Sequence, residues 1–328
     1  MTRSTKLLDR RDVLKIGAGA GVLGASAHFG IAARPAFAAD FEQAPGFFRF
    51  ALGEMTVTIV SDGHLEIPAS VVASNIGVDE LRSYLSARFL DTDINYGHTN
   101  HVLIETGEDL VLVDVGSGER FQPTAGKLVE NLDLAGYAPE DVTKVVLTHA
   151  HPDHVWGMLD EFEDDLRFPE AEHIVGAAEF DWWMAADRVA SLPDDLKPFA
   201  VGAQKSFEPI ADRLVKATDG LDVAPGCRLI ATPGHTPGHM SLIVESGDQT
   251  MLVAGDAINH GYVAFEHPDW RPAFDFDKDL AVATRKRLLE MCASDRMLIS
   301  AYHLPFPGVG HAARAGQAYR YMPALWRW

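Results

Sequence analysis

Three histidines and one aspartate lie within six residues, and this part of the sequence is the best suited to chemistry. His149, His151, Asp153 and His154 follow a short β-branched run, residues 144–148. Imidazole nitrogens suit zinc and similar ions, and a carboxylate adds a hard oxygen ligand. On a tight loop, His149 and His151 can point one way while Asp153 and His154 point another. The spacing therefore favours two adjacent metal ions over one.

Two metal ions need more ligands than this loop holds, and three further candidates occur later in the chain. His235, Asp256 and His303 each come just after a short apolar run that is typical of a β-strand. Loops at strand ends are where a rigid scaffold presents functional groups. A lone histidine is usually a surface or core residue, but a complete ordered set indicates a metal site. The predicted metal ligands are therefore His149, His151, Asp153, His154, His235, Asp256 and His303.

Predicted strands and helices surround these candidate ligands. The apolar residues 102–105 and 110–113 flank a turn signal at 107–109, which predicts a hairpin. Residues 55–60 predict a strand that stops at the turn signal 61–63. Further predicted elements are a helix on residues 125–135 after Pro123, strands at 228–231, 241–244 and 250–253, a helix at 279–292 and a strand at 297–300. Strands mixed with helices and short turns predict an α/β sandwich with helices outside two sheets.

The order of these ligands resembles that of a known superfamily. HxHxDH followed by His, Asp and His is the pattern of the metallo-β-lactamase superfamily, and it extends over nearly the whole chain after residue 38. The resemblance implies an αββα sandwich of the α/β class, with two mixed β-sheets flanked by helices. It also implies that one ion is held by His149, His151 and His235, that the other is held by Asp153, His154 and His303, and that Asp256 bridges them. Asp114 occupies the place of the family's early aspartate, which orients the ligand loop.

The chemistry expected of such a site is hydrolysis. Two ions about 3.5–4 Å apart share a water molecule and lower its pKa from about 15.7 towards 7. The resulting metal-bridging hydroxide is the expected nucleophile, so no serine or cysteine nucleophile is required. Asp153 and Asp256 are the predicted catalytic residues, and Asp153 can also steer the hydroxide or shuttle a proton. Zinc is the expected metal at both positions, and the ligand set also accepts manganese, iron or cobalt.

Further segments are similar to the exported methyl parathion hydrolase-like enzymes and to related lactonases and arylesterases. The similar segments are Ser61-Asp62-Gly63, residues 111–114, 135–140 and 232–239, Gly255-Asp256 and residues 303–311. This similarity implies cleavage of ester, lactone or phosphotriester bonds in small aromatic or apolar substrates. It also implies that Phe121, Trp183 and Phe199 line an aromatic substrate pocket. The zinc β-lactamases of the superfamily lack a bridging aspartate, so the presence of Asp256 disfavours antibiotic hydrolysis.

Two features depart from the family pattern. Trp156 stands where the family usually has glycine, so a bulky ring is expected close to the metal site. His98 and His101 are expected near the mouth of the pocket, and His260 follows Asp256 at a similar place. We expect these residues to shape the substrate preference.

Three rival interpretations stay open from the sequence. The first is an oxidoreductase similar to the persulfide dioxygenases, with a single iron ion, and the complete ligands for two ions argue against it. The second is a β-lactamase-like amide hydrolase. The third is a metal-binding export protein without catalysis, which predicts tight metal binding and no turnover.

The first 38 residues predict a twin-arginine signal peptide. Arg10-Arg11-Asp12-Val13-Leu14-Lys15 is a twin-arginine pattern, an apolar Gly/Ala-rich run covers residues 16–33, and Ala36-Phe37-Ala38 is a small-x-small cleavage signal. The apolar run is short for a stable membrane span, which disfavours an uncleaved anchor. We therefore expect a signal peptide at 1–38, a hydrolase domain at 39–328 and a periplasmic or secreted protein.

The charge of the chain disfavours polyanionic partners. The formal net charge is −19, and residues 1–38 carry six basic and two acidic residues, so residues 39–328 have a charge of −23. Such a charge opposes binding to nucleic acid or to an anionic membrane surface. A small-molecule substrate is the expected partner, with no membrane association of the mature form. The resembling enzymes often form homodimers, for which Tyr319, Tyr321, Trp326 and Trp328 are available as contacts.

Overall fold

Two seven-stranded β-sheets lie at the centre of the molecule. The computed structural model describes residues 46–160 and 165–325. Across the first sheet, the strands are β1 (Phe47–Leu52), β2 (Met55–Pro68), β3 (Ile94–Glu105), β4 (Leu110–Val113), β5 (Lys144–Leu147), β6 (Glu172–Gly176) and β7 (Val215–Ala217). Across the second sheet, they are β14 (Ala318–Pro323), β13 (Val309–Ala315), β12 (Leu298–Ser300), β11 (Gln249–Val253), β10 (Met240–Ser246), β9 (Cys227–Ala231) and β8 (Asp222–Ala224).

Both sheets are mixed. In the first sheet, β1 to β4 pair antiparallel and β4 to β7 pair parallel. In the second sheet, β11 and β12 pair parallel and the other neighbours pair antiparallel. The interior strands β4 and β5 are almost entirely buried, which explains why their sequences are continuous apolar runs. The predicted hairpin around residues 107–109 is confirmed by the antiparallel pair of β3 and β4.

Helices cover the outer face of each sheet. They are α1 (Val78–Ser86), α2 (Leu128–Ala135), α3 (Pro152–Val155), α4 (Ala177–Trp183), α5 (Arg188–Ser191), α6 (Lys197–Phe207), α7 (Val263–Glu266) and α8 (Lys278–Asp295). Buried residues of α2, α4 and α6 share one apolar cluster with β5 of the first sheet, and those of α8 share another with β11 and β12. A third cluster fills the space between the two sheets. The predicted αββα sandwich is therefore confirmed.

The strand expected at residues 55–60 is longer than predicted. β2 does not stop at the turn signal 61–63 but continues to Pro68, with an irregular register against β3 between Ser61 and Gly63. An extra residue in one strand is a β-bulge, which bends the strand without ending it. At this bulge the side chain of Asp62 is buried, and its Oδ1 accepts a hydrogen bond from the backbone N–H of Leu128 at 2.7 Å.

The same contact explains where α2 begins. The helix predicted from residue 125 starts at Leu128, because Asp62 accepts one of the free N–H groups of its first turn. A carboxylate is also favoured at the positive end of a helix dipole. Burial nevertheless raises the pKa of Asp62 to about 6. The helix ends at Gly136, whose φ of 90° is left-handed and favours glycine.

No helix in the described part of the chain is both long enough and apolar enough to cross a membrane. The signal peptide predicted at residues 1–38 lies outside the described residues, as do Trp326 and Trp328.

Candidate active site

The predicted ligands lie on loops that follow strands. Asp114 comes directly after β4, and the loop of residues 148–154, which includes α3, follows β5. His235 lies between β9 and β10, Asp256 follows β11, and His303 follows β12. Because β4 and β5 are parallel, and β11 and β12 are parallel, each pair of strands ends at the same edge of its sheet. The fold therefore gathers residues that are far apart in sequence.

Three imidazole nitrogens converge at one point. His149 Nε2 and His235 Nε2 each lie 3.0 Å from His151 Nδ1. The three residues are buried, and burial lowers the pKa of His149 and of His151 well below the usual range. Both rings therefore stay neutral and keep a lone pair for a metal ion. We call His149, His151 and His235 the first ligand group.

A second set of donor atoms lies beside the first. Asp153 Oδ2 is 3.3 Å from His154 Nε2 and 3.3 Å from His303 Nε2. We call Asp153, His154 and His303 the second ligand group. Burial opposes ionisation of Asp153, but His154 and His303 lower its pKa to about 2.

Asp256 contacts both ligand groups. Its Oδ2 is 3.3 Å from His235 Nε2, and its Oδ1 is 3.6 Å from His154 Nε2. Oδ2 also lies 3.2 Å from His303 Nε2. A carboxylate in this position can give one oxygen to each of two neighbouring ions. The backbone N–H of Asp256 donates to His239 Nε2 at 3.1 Å, so His239 positions this loop and is not among the converging donors.

The hydrogen bonds of the outer ring nitrogens leave the inner nitrogens available to a cation. His154 Nδ1 contacts Asp114 Oδ2 at 2.8 Å, and His303 Nδ1 contacts the carbonyl oxygen of His98 at 2.8 Å. His235 Nδ1 contacts Asp275 Oδ1 at 2.9 Å. Each partner can only accept, so each Nδ1 donates and each Nε2 carries a lone pair in the neutral ring.

The donor atoms of the two groups fit divalent cations. Imidazole nitrogens, including Nδ1 of His151, lie close to the oxygens of two carboxylates, an arrangement that a bound cation stabilises. Among the described residues, Asp153 Oδ2, His154 Nε2 and Asp256 Oδ1 are buried without a hydrogen-bond partner. A buried polar atom without a partner is costly, and binding to a metal ion satisfies it.

Asp114 connects the ligand loop to β4 through its side-chain hydrogen bonds. Its Oδ1 accepts from the backbone N–H of Thr148 at 2.8 Å, and its Oδ2 accepts from Thr148 Oγ1 at 2.9 Å in addition to His154. Its φ of 61° is left-handed, which is uncommon outside glycine and is tolerated by aspartate. Asp114 therefore orients His154 while holding the start of the loop.

A buried ion pair behind His235 could not be predicted from the sequence. Asp275 accepts from His235 Nδ1 through Oδ1 and from Arg285 through Oδ2, at 2.9 and 3.1 Å. Arg285 is 1% exposed and also donates to the carbonyl oxygens of Pro268 and Trp270. Arg285 lies on α8, where an arginine would normally be on the solvent face. A histidine ligand is commonly oriented by a carboxylate in this way.

An apolar cavity opens onto both ligand groups. Its floor contains His151, Asp153, His235, Asp256 and His303, and its walls contain Leu65, Ile67, Val71, Val72, Phe121, Phe199, Pro272 and Phe274. Asn95 and Asn259 add two neutral polar groups, and no lysine or arginine is among the described residues that line it. Phe121 and Phe199, which the sequence predicted to line an aromatic substrate pocket, both line this cavity.

Trp183 does not line this cavity, contrary to its predicted place. It is fully buried behind His151, with ring centroids 6.0 Å apart, and its Nε1–H donates to Glu179 at 2.7 Å. The physical reason is that α4 packs this side chain into the core between the helices and the first sheet. Trp183 therefore packs against His151 from inside the core.

The residues that depart from the family pattern do not crowd the ligands. Trp156 lies behind the cavity wall and contacts the rings of Phe121 and Phe199 edge to face. His98 and His260 line a second cavity, which also reaches His303. His101 is not at the pocket mouth, since it is fully buried on β3 and its Nδ1 contacts the carbonyl oxygen of Asp114 at 3.0 Å.

Residues 94–303 match the sequence model of the metallo-beta-lactamase superfamily. This match covers more than half of the chain and includes every residue of both ligand groups. The chain belongs to this superfamily. As a member with lactonase relatives, it is a metal-dependent hydrolase, and its clustered ligands form a binuclear divalent metal site.

Several relatives of this superfamily member are lactonases or other hydrolases. AidC, a dizinc quorum-quenching lactonase whose structure contains a product, superposes with a TM-score of 0.81 at 29% identity, covering 86% of this chain and 98% of AidC. The hydrolase AbOPH superposes with a TM-score of 0.81 at 28% identity, covering 87% of this chain and all of AbOPH. An N-acyl homoserine lactonase of Bacillus cereus is 27% identical over 221 residues, which cover 61% of this chain and 79% of that enzyme.

Proposed function

We propose that this metallo-β-lactamase superfamily member hydrolyses lactone or ester bonds of small neutral substrates. The observation that carries the proposal is the position of Asp256, which contacts both ligand groups at the floor of an apolar cavity. Two metal ions at the floor of an apolar cavity can polarise the carbonyl group of a substrate, and the cavity walls can bind the hydrophobic substituents of that group. The lactonase activity named for AidC and for the Bacillus cereus relative supports a lactone as the natural substrate.

The proposed metal ligands follow the two groups. The first ion is assigned to His149, His151 and His235, the second to Asp153, His154 and His303, and Asp256 is the bridge. Zinc at both positions is supported by the nitrogen-rich donor set and by the dizinc centre of AidC. When bound, two such cations supply Lewis acidity and a water molecule of lowered pKa.

The protein's own groups place the substrate and move the proton. Phe121, Phe199 and Ile67 hold the apolar part of the substrate away from water. The oxygen of the attacking water forms a bond to the carbonyl carbon, and the bond from that carbon to the leaving oxygen breaks. We assign the proton transfer to Asp153, whose buried carboxylate at the cavity floor takes the proton from the water and returns it to the leaving oxygen.

The residues that line the cavity also favour some substrate classes over others. Aromatic walls favour aryl esters and aromatic lactones, and the same walls suit phosphotriesters, which we propose as a side activity. Among the described residues that line the cavity, no lysine or arginine is present to pair with the carboxylate of a penicillin or cephalosporin. The cavity therefore disfavours β-lactams as substrates.

The cellular context is proposed from the sequence alone. The twin-arginine pattern and the Ala36-Phe37-Ala38 signal support export to the periplasm or the medium, with residues 39–328 as the mature enzyme. We also propose a homodimer, to which the exposed residues Met322 and Leu325 near the C-terminus can contribute apolar area.

A substrate panel tests the proposed function. The mature protein, loaded with zinc or manganese, is assayed with an aryl ester, an aromatic lactone, an acyl-homoserine lactone, methyl parathion and a cephalosporin. We expect the fastest turnover on a lactone or aryl ester and little on the cephalosporin. Asp256→Ala should lower turnover by more than about 100-fold, since even partners of metal ligands cost about 10–100-fold. Asp248→Ala, at an exposed position on the turn after β10, is the matched control and should retain full activity.

Two results would contradict the proposal. Fully metallated protein that leaves all five substrates intact would exclude hydrolysis of these bonds. One iron per chain together with oxygen consumption would instead favour the oxidoreductase interpretation.

A further inference from the structure

We propose that Glu179 is a positioning residue that joins the loop of His151 to the loop of His235 and thereby holds the first ligand group together. Glu179 is not among the converging donors, and it lies on α4, outside every metal-binding motif. The inference rests on the ligand assignment proposed above. It adds a residue whose effect is confined to one of the two metal sites.

The Glu179 carboxylate accepts four hydrogen bonds, which divide between two loops and one tryptophan. Oε1 accepts from the backbone N–H of Ala150 at 3.0 Å and from Trp183 Nε1 at 2.7 Å. Oε2 accepts from Thr236 Oγ1 at 2.7 Å and from the backbone N–H of Gly238 at 3.0 Å. All five residues are buried.

These partners are the immediate neighbours of the ligands. Ala150 separates His149 from His151, and Thr236 directly follows His235. One carboxylate therefore connects the ligand loop after β5, which belongs to the first sheet, to the loop between β9 and β10, which belongs to the second. The distance between the two loops sets the distance between the converging nitrogens.

The backbone of Gly238 packs closely against the backbone of Glu179, which fixes the position of the loop relative to α4. A Cβ atom on Gly238 would lie 2.0 Å from the backbone nitrogen and 2.4 Å from the Cα atom of Glu179. Real Cβ atoms do not approach backbone so closely, so only glycine allows the loop to pack on the start of α4. This contact brings the N–H of Gly238 within reach of Oε2.

A carboxylate is required here because all four partners donate. A charged carboxylate accepts at both oxygens, whereas a glutamine amide would turn N–H groups towards donors at one end. Burial raises the pKa of Glu179, and the four hydrogen bonds oppose that effect by stabilising the charged form.

Glu179 also acts on His151 through Trp183. The indole ring lies edge to face against the His151 ring, and its Nε1 is fixed by Glu179 Oε1. The carboxylate thus limits the movement of the His151 ring as well as of the backbone beside it.

Metal affinity tests this inference without any measurement of turnover. In Glu179→Gln, we expect the affinity for zinc at one of the two sites to fall about 10–100-fold, the usual effect of losing a partner of metal ligands. The other site should keep its affinity. Competition with a chromophoric chelator resolves the two binding steps, and the absorption of the cobalt-substituted protein shows whether the nitrogen-rich site has changed. Glu172→Gln, at an exposed position on β6, is the matched control and should bind both ions as the wild type does.

The outcomes separate a positioning role from a general structural one. Wild-type affinity at both sites in folded Glu179→Gln would overturn the inference, and so would an equal weakening of both sites. If Glu179→Gln does not fold, Thr236→Val is the second test of the inference. Valine has nearly the shape of threonine, so this change removes only the hydroxyl group that donates to Glu179 from the loop of His235. A weaker first site in that variant supports the role of Glu179, and unchanged affinity overturns it. These results hold even if no tested ester or lactone is hydrolysed.

Discussion

The orientation of the His235 ring depends on the buried residue Arg285, although the two residues are connected only through Asp275. Arg285 neutralises Asp275, which in turn accepts from His235 Nδ1. Arg285→Met should lower the free energy of unfolding by about 3–5 kcal/mol, because it leaves a buried carboxylate without its charged partner. Denaturant unfolding of the zinc-loaded protein measures the effect.

The neighbouring helix position provides the control for this prediction. Lys286→Met also replaces a cationic side chain by methionine, on the exposed face of α8, and should alter the free energy of unfolding by less than about 0.5 kcal/mol. Combining Asp275→Asn with Arg285→Met should destabilise less than the sum of the single changes, since neither charge is then left alone. Equal effects of the Arg285 and Lys286 substitutions would contradict the assigned role.

The candidate metal ligands and Asp114 could be named from the sequence, whereas two further residues that support them, Asp275 and Glu179, could not. His149, His151 and Asp153 lie in one short motif whose spacing is itself informative. Asp275 and Glu179 are single acidic residues in ordinary segments, and most acidic residues of that kind are solvated. Their roles arise from burial beside donors that are distant in sequence, which no local pattern records.

At the scale of elements, the bulge in β2 determines one wall of the cavity. The strand was expected to end at residue 60, yet its continuation past the bulge places Leu65 and Ile67 in the cavity wall. The turn signal Ser61-Asp62-Gly63 was misleading, because the pairing of β2 with β3 resumes after the irregularity. Tertiary pairing here outweighed the local preference of the sequence.

Shortening this wall should weaken substrate binding without slowing the chemistry. Losing contact equivalent to one buried CH₂ group, worth about 0.8 kcal/mol, should raise KM of Ile67→Ala for apolar substrates about fourfold. The value of kcat should be unchanged, because the lost contact is the same in the ground state and the transition state. Steady-state kinetics on a lactone or aryl ester measures both constants.

Glu66→Ala provides the comparison on the exposed side of the same strand. It should leave KM for neutral substrates as it is in the wild type. A fall in kcat for Ile67→Ala with constant KM would contradict the place of Ile67 in the binding wall.

A buried histidine on β6 should make the fold sensitive to acid. Burial, with a smaller contribution from Arg213, lowers the pKa of His173 to about 4. The pKa in the unfolded chain is about 6.5, so the unfolded state binds the proton first as the pH falls. The stability due to neutral His173 is complete above pH 6.5 and is lost progressively between pH 6.5 and pH 4.

His173→Leu should remove this sensitivity. The free energy of unfolding of the wild type should fall by about 2 kcal/mol more than that of the variant between pH 7.5 and pH 5. Denaturant unfolding of both proteins at the two pH values, with metal removed, gives the difference. Parallel losses in the two proteins would show that His173 does not contribute to acid sensitivity.

At the scale of the whole molecule, the two sheets meet at the site. The first sheet provides Asp114 and the loop of residues 148–154, and the second provides His235, Asp256 and His303. The first ligand group takes residues from both sheets, and so does the second. Secondary-structure patterns predicted the layers, but the shape of the cavity depended on side chains such as Trp183, whose burial no periodicity could show.

The number of metal ions needed for turnover decides whether the enzyme is a binuclear hydrolase. Metal-free protein is titrated with zinc while hydrolysis of the preferred lactone or aryl ester is followed. The two-metal site predicts that activity rises until two equivalents per chain are bound, and that Asp256→Ala does not reach wild-type activity at any zinc concentration. Full activity at one equivalent, or activity that is unaffected by the loss of Asp256, would contradict a binuclear hydrolase.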